Sequence, residues 1–394
     1  MRLGYLFTTF PKPSETFVYR EVLGLLERGI DARIYALRGP SEAEREVLPQ
    51  SAIELSRKVT YLRPPQLLRG LLDALSGSTA WPLCKTLRED GALPQSQAVI
   101  LARAHAIARL AREDGITHLH AHWPYACMLA AMVQRITDLT LSISIHAHEV
   151  AHENDHFLAI FKDLSFAAFC NRAAMNYLLE RLPPRTSDKC HLIYHGVDLS
   201  AFTQLAPAPP PPPLRVISAG RFTRTKGFDR LIDAVDLATR TGVDVDLTIL
   251  GDGSERERLR GLAESRGIAD RVHLPGWVTP SEVQRALAKS HVFSLLADAS
   301  YHDGLPNVVL EALAVGRPVI LSPLPAAREA LEDGINGYIL SAVDAIDELV
   351  DRWKQLADAP ERAADMARAA RLGVEQRFDD DIHLGKMIEL FEEV

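Results

Sequence analysis

The chain has 394 residues and a mass of 43.6 kDa, a length that corresponds to two or three domains. Apolar residues make up 47% and charged residues 24%, which excludes a wholly disordered, collagen-like or coiled-coil chain. With 44 basic and 52 acidic residues the net charge is −8, so the basic footprint of a nucleic-acid binder is absent and no nucleic-acid partner is expected.

In chain order, residues 2–8 read as a strand and residues 14–28 as a helix with Ser14 as its N-cap, since a serine hydroxyl can take a free amide of the first turn. Further strands are predicted over 31–37, 117–120, 139–145, 165–169 and 191–194, with helical patterns over 95–113 and 126–136. Pro207 and the five prolines at 209–213 cannot form helix or central strand, and they predict an extended linker over 203–213. Composition shifts there: residues 1–202 hold 22 basic and 21 acidic residues, the remainder 22 and 31. Beyond the linker, strands are predicted over 215–219, 244–250, 272–274, 292–295 and 318–321. Helices follow them over 227–241, 254–265, 280–288 and 307–315. Residues 342–394 read as helix with a break near Pro360. Strands alternating with helices imply parallel sheets covered on both faces. The expected fold class is therefore α/β, with two Rossmann-like, doubly wound parallel-sheet domains (1–202 and 214–374) facing a cleft, and a helix over 375–394. Ligands of such sheets bind at the carboxyl ends of the strands.

The first residues, MRLGYLFTTFPKP, read as a strand and loop, because Pro11 and Pro13 interrupt the apolar run and no small-residue cleavage site follows. No run of about 20 apolar residues occurs. Cys84, Cys127, Cys170 and Cys190 are far apart and form no C-x-x-C, which fits a reducing compartment and a cytoplasmic location.

Three pieces of the second half suggest an anion site. The first is Gly220-Arg221-Phe222-Thr223-Arg224-Thr225-Lys226-Gly227, at a strand end. Its glycines allow close backbone approach, and Arg221 and Lys226 could grip a diphosphate; a solvated loop is the competing reading. The second is Leu250-Gly251-Asp252-Gly253-Ser254, the start of a dinucleotide-type turn with Arg256 in place of a third glycine, or simply a tight turn. The third is Asp303-Gly304-Leu305-Pro306-Asn307-Val308-Val309-Leu310-Glu311. Pro306 suits the first helical position, and the amides around Leu305 to Val308 would face an anion. Glu311, one turn further in, could accept two hydrogen bonds from a ribose diol, or could merely complement the helix dipole.

In this order and spacing the three pieces resemble the nucleotide-sugar domain of glycosyltransferase family 4, retaining enzymes of the GT-B fold. The resemblance continues through Val272-His273-Leu274-Pro275-Gly276-Trp277-Val278, Glu332-Asp333-Gly334-Ile335-Asn336-Gly337 and Val374-Glu375-Gln376-Arg377-Phe378, and covers nearly all of the second half. It implies a UDP- or GDP-linked sugar donor, with no cofactor and no metal. Arg221 and Lys226 would hold the diphosphate, aided by Gly220, Gly251, Gly253 and the helix start at Gly304, Leu305, Pro306 and Asn307. Glu311 would bind the ribose, and backbone near Val278 would meet the base. Asp303 would face the sugar, one methylene shorter than the Glu usual there. The family's Gly-Gly before Pro-Glu is replaced by Leu324-Pro325-Ala326-Ala327-Arg328-Glu329. The tail helix would cross back onto the first domain.

Seven of the fourteen histidines fall between His118 and His156. His148-Glu149-Val150-Ala151-His152 matches the zincin pattern H-E-x-x-H, which works only on a continuous helix; here it follows a strand-like run, and a polar loop is the plainer reading. By the family resemblance His146, at that strand's end, would lie near the donor sugar, where an imidazole could hydrogen-bond a hydroxyl; a structural histidine competes. His120 and His122 read as cleft-lining or structural. Ser14-Glu15-Thr16-Phe17 resembles the exopolysaccharide and colanic-acid-type branch of the family. Ser14, Glu15 and Thr16 could touch acceptor or phosphate, or simply cap the helix.

Residues 57–112 hold nine basic and three acidic residues among Leu67, Leu68, Leu71, Leu72, Leu75 and Trp81. Such a surface could contact anionic lipid at the inner membrane face, near a lipid-linked or glycan acceptor, or could be ordinary core with solvated arginines. The expected activity is sugar transfer from a nucleotide sugar to an acceptor hydroxyl. A nucleotide-sugar epimerase of the same fold, a zinc peptidase and a silent binding module are the rivals.

Overall fold

The computed structural model describes residues 1–77, 81–82, 84–85, 96–146, 155–183, 185–203, 211–298 and 304–394. They form two compact units: residues 1–194 with 384–394, and residues 195–383. The division between units thus falls at Tyr194/His195, ahead of the proline-rich segment, of which residues 204–210 lie outside the described residues.

In the first unit seven strands pair in one parallel sheet: β1 (Leu3–Thr9), β2 (Ala32–Arg38), β3 (Val59–Tyr61), β4 (His118–His122), β5 (Thr140–Ile145), β6 (Phe166–Phe169) and β7 (Cys190–Leu192). Their order is β3-β2-β1-β4-β5-β6-β7, so the winding reverses between β1 and β4. Side chains alternate across the pleat. Leu6 points into a core with Ile107, Leu129 and Ile143, under helices Gln97–Glu113 and Pro124–Ile136. Leu3, Tyr5 and Phe7 point the other way, to Val18, Val22 and Leu25 of helix Thr16–Glu27. Met387 and Phe391 of the last helix, Asp380–Glu392, join that second core.

The second unit repeats the plan with six parallel strands: β8 (Leu214–Ala219), β9 (Val245–Leu250), β10 (Val272–Gly276), β11 (Val292–Leu295), β12 (Val319–Leu321) and β13 (Gly337–Ile339). Their order is β10-β9-β8-β11-β12-β13, with the reversal between β8 and β11. Two doubly wound parallel sheets meet the fold expectation.

Several boundaries differ from the sequence reading. Ser14 is not the N-cap: helix Thr16–Glu27 starts after Glu15, with no side-chain cap. The Glu15 amide donates to the Lys12 carbonyl at 3.1 Å and the Glu15 carboxylate pairs with Lys12 Nζ at 2.9 Å, so a turn occupies the segment where the cap was expected. Pro306 is the N-cap of helix Asn307–Ala314, not its first residue; its ψ of 132° is extended. The tail is three helices, Ile346–Asp358, Pro360–Arg377 and Asp380–Glu392, with a second break at Phe378. No helix among the described residues is long and apolar enough to cross a membrane.

Candidate functional site

At the reversal of the second sheet, the segments that follow β8 and β11 leave adjacent strands at their carboxyl ends, the crevice where open α/β sheets take ligands. The β8 segment carries Arg221 and Lys226. It ends in a short 3-10 turn, Arg224–Lys226, and at Gly227, whose φ of 64° starts helix Phe228–Arg240. A Cβ on Gly227 would lie 2.0 Å from the Leu296 carbonyl oxygen. The amide of Asp298 donates to the Thr225 carbonyl at 2.8 Å, and Arg230 Nη1 donates to the Leu296 carbonyl at 3.0 Å. These bonds lock the β8 and β11 segments together. The Lys226 side chain folds over Gly220, its Cδ and Cε 3.7 Å from where a Cβ would stand, while Arg221 is exposed.

The β9 turn is tied to both neighbours. Gly220 donates to the Leu250 carbonyl at 3.0 Å, Gly251 to the Gly276 carbonyl at 2.9 Å, and Phe222 to the Asp252 carbonyl at 2.8 Å. Gly251 has a φ of 119°, and a Cβ there would stand 2.0 Å from the Gly220 carbonyl oxygen. Its glycine character is therefore required by backbone meeting backbone. Gly253 likewise packs on the Phe222 backbone. Arg256, in place of the third fingerprint glycine, bonds Asp252 Oδ2 at 3.1 Å and the Leu274 carbonyl at 2.7 Å, closing the turn onto β10. Val278, half-buried, precedes a capping box: Thr279 accepts from the Glu282 amide, and the Glu282 carboxylate takes the Thr279 amide at 2.7 Å. Those bonds hold the Glu282 carboxyl below the usual carboxylate range.

After β11, residues Gly304, Leu305, Pro306 and Asn307 are half-buried and lead into helix Asn307–Ala314, with Glu311 one turn inside it. His195 Nδ1 lies 3.3 Å from Asn307 Oδ1, a partner that sequence did not reveal. Asp303 lies outside the described residues, as do His148, Glu149 and His152.

In the first unit, His118, His120 and His122 alternate along β4 on one face, fully buried. Their rings meet hydroxyls of β5. His118 lies 2.7 Å from Thr140 Oγ1 and 2.6 Å from Ser142 Oγ; His120 lies 2.7 Å from Ser142 Oγ and 2.9 Å from Ser144 Oγ. Burial pushes His118 down to about 4 and His120 well below the ordinary histidine value, the latter helped by His122 and His118 nearby. Both rings are thus neutral at pH 7, each donating through one nitrogen and accepting through the other. At the strand ends His122 Nδ1 lies 3.2 Å from Nε2 of His146, which is 4% exposed. His122 Nε2 faces the Glu21 carboxylate at 3.4 Å, and Glu21 accepts from the Tyr5 hydroxyl at 2.6 Å. Burial and that carboxylate raise the Tyr5 phenol well above its ordinary value.

Trp123 stacks on His146 with ring centroids 4.2 Å apart, and its backbone has a φ of 72°, a strained value for a non-glycine residue. Its indole nitrogen is buried without a hydrogen-bond partner. Glu21, His120 and His122 offer atoms within 4.8 Å of one another, the spacing of a metal cluster. Both His120 nitrogens already meet serine hydroxyls, so a cation would have to displace one. Ser14 is exposed and Glu15 and Thr16 are half-buried at the start of their helix.

Residues 206–373 match the family described as "Glycosyl transferases group 1". Along 97% of both chains this protein is 27% identical to the putative colanic acid biosynthesis glycosyltransferase WcaL of Escherichia coli K12. It is 24% identical to the amylovoran biosynthesis glycosyltransferase AmsK of Erwinia amylovora, over 100% of this chain and 99% of that one. Among solved structures, Anabaena HepE in complex with UDP-glucose superposes over 100% of both chains with a TM-score of 0.75 at 16% identity. The second unit thus carries the match to that family model, within a chain whose two parallel sheets give it the GT-B fold.

Proposed function

We propose that this chain is a retaining, metal-independent glycosyltransferase of family 4. It would move a sugar from a UDP- or GDP-linked donor to a hydroxyl of a lipid-linked or glycan acceptor in exopolysaccharide synthesis. What carries the reading is the pair of segments after β8 and β11, bonded to each other at the reversal of the second sheet. The first of these segments carries Arg221 and Lys226, and the second leads in sequence to the helix start at Asn307.

In this reading Arg221, Lys226 and the amides at Asn307 and Val308 neutralise the departing diphosphate. Fixed positive groups stabilise charge that grows in the transition state, and they do the work a divalent cation would otherwise do. Glu311 takes the ribose diol, backbone at Val278 meets the base, and Asp303 faces the sugar. The bond from the anomeric carbon to the phosphate oxygen breaks. The acceptor oxygen bonds that carbon on the same face, and its proton passes to the leaving phosphate. His146, held by Trp123 and His122, hydrogen-bonds a sugar hydroxyl. No cofactor beyond the donor is needed. The names of WcaL and AmsK favour exopolysaccharide acceptors, and the UDP-glucose of HepE favours a nucleotide-sugar donor.

A panel of UDP- and GDP-sugars, scored by released nucleoside diphosphate with and without a lipid extract, tests this. Acceptor-dependent release that survives EDTA, with the donor's anomeric configuration kept in the product by NMR, is the expected result. Interconversion of sugars without acceptor would instead make the chain an epimerase, and binding without turnover a silent module.

A further inference from the structure

Helix Pro64–Leu75 is built the wrong way round for a soluble protein. Gly70 and Ala74 are its buried residues, while Leu68, Leu72 and Leu75 are 60%, 59% and 68% exposed. At 100° per residue these three leucines fall within one narrow stripe, and Gly70 and Ala74 lie on the far side. The orientation is fixed by the neighbouring helix Gln97–Glu113. A Cβ on Gly70 would stand 2.1 Å from the Ala102 carbonyl oxygen and 2.8 Å from the Ala106 amide. No larger residue fits there, so the helix cannot roll to bury its leucines. Asp73, its one acid, is paired with Arg109 at 2.6 Å.

Exposed cations lie on this helix and flank it in sequence: Arg63 at its N-cap, Arg69 within it, Arg57 and Lys58 before it and Lys85 after it. They sit on a chain whose net charge is −8. Three exposed leucines on a helix flanked by cations match an interface between acyl chains and anionic headgroups, where apolar side chains enter the boundary and lysine and arginine stay at the phosphates. A second copy of the chain would have to set these cations against their own copies, which like charges oppose.

We propose that Leu68, Leu72 and Leu75 form a docking face that lies in the surface of an anionic lipid bilayer. The leucines supply the hold, and the flanking cations select the anionic surface. The proposal stands on the helix alone and does not need the transferase reading; if it holds, a lipid-linked acceptor would be met at that surface.

The test is co-sedimentation of the full chain with phosphatidylcholine vesicles, with and without phosphatidylglycerol, in the absence of any sugar nucleotide. Wild type should pellet with the phosphatidylglycerol vesicles and release at high salt. The double variant Leu68→Ser/Leu72→Ser should bind at least about tenfold more weakly, and Arg69→Glu severalfold more weakly. Leu372→Ser, a 54%-exposed leucine of the other unit, should bind as wild type does. Thermal unfolding of each variant confirms that it is folded, and the two serines should not lower the midpoint. No pelleting by wild type, equal pelleting by the double variant, or equal binding to neutral vesicles would overturn the proposal. So would a wild-type dimer in sedimentation velocity that the double variant abolishes, which would assign the face to self-association. Because no donor is present, failure of the transferase assay leaves this result untouched.

Discussion

The carboxyl edges of the two sheets solve the same geometric problem with different materials. In the second unit the edge is made of backbone: three successive turns hydrogen-bonded to one another, with glycines where carbonyls crowd and cations at the rim. In the first unit the strand leading to the edge carries side chains, a buried ladder of imidazoles and hydroxyls running along β4 and β5 to His146 and Trp123. A backbone cradle suits an anion, since amides and dipoles need no titration. A side-chain edge suits recognition of a neutral polar group, and it brings pH dependence that a backbone edge lacks.

The largest effect should come from breaking the backbone edge. Gly251→Val places a branched side chain at a φ of 119°, with its Cβ against the Gly220 carbonyl. Strain and overlap together should cost more than about 3 kcal/mol. Urea unfolding should show loss of the second unit's cooperative transition, while the first unit's transition stays near its wild-type midpoint. Next comes Arg221→Ala. The side chain is exposed, so stability should hold within about 0.5 kcal/mol. Turnover of whichever donor the panel selects should fall roughly 100- to 1,000-fold, as when one charge-stabilising group is lost. Unchanged turnover would remove Arg221 from the diphosphate site.

These two edges also differ in how far they could be read from sequence. Strand and helix alternation reveals both sheets, but not their edge strands β3 and β13, whose three residues each show no period of their own; β7, equally short, is read from the apolar run His191–Tyr194. The glycine turns are legible because φ and close approach demand glycine, although Gly251 answers to a neighbouring carbonyl rather than to a ligand. Arg256 reads as a broken fingerprint; only the fold shows that it closes the turn through Asp252 and Leu274. The His122–His146 contact depends on the register that sets β4 beside β5, which no local pattern encodes. Glu21 is hidden for the same reason. The inverted helix at Pro64–Leu75 has its signal in Gly70 and Ala74, which mark the close face, rather than in the leucines.

The side-chain edge should be broken by acid. In the folded chain burial holds His118 near 4, against about 6.5 when unfolded. The unfolded chain therefore binds more protons between those values, and stability falls as pH drops through that window. Above pH 6.5 the penalty is absent; for His118 it reaches about 3 kcal/mol near pH 4 and then levels off. His120, pushed down in the same direction, extends the loss to lower pH. Urea midpoints measured from pH 7 to pH 4 should therefore slope more steeply for wild type than for His118→Gln. Equal slopes would mean that the ladder opens and accepts protons at little cost. Transitions assigned to the second unit should lack this histidine component.

The smallest effect separates the caps of the two units. Thr279 accepts the Glu282 amide, and Glu282 returns a bond to the Thr279 amide, so Thr279→Ala removes a working cap. Ser14 lies one residue before the actual N-cap and makes no capping bond, so Ser14→Ala removes nothing from that helix. The first change should lower stability by about 1 kcal/mol and the second by less than about 0.5 kcal/mol. Because both segments read alike in sequence, a hydroxyl residue ahead of an apolar helix, only the fold distinguishes them. If Ser14→Ala nonetheless depressed turnover at full stability, the hydroxyl would have to act on a bound molecule. The Ser14-Glu15-Thr16 segment would then join the acceptor side of the reaction. Equal turnover in the two proteins would leave that segment as a plain helix start.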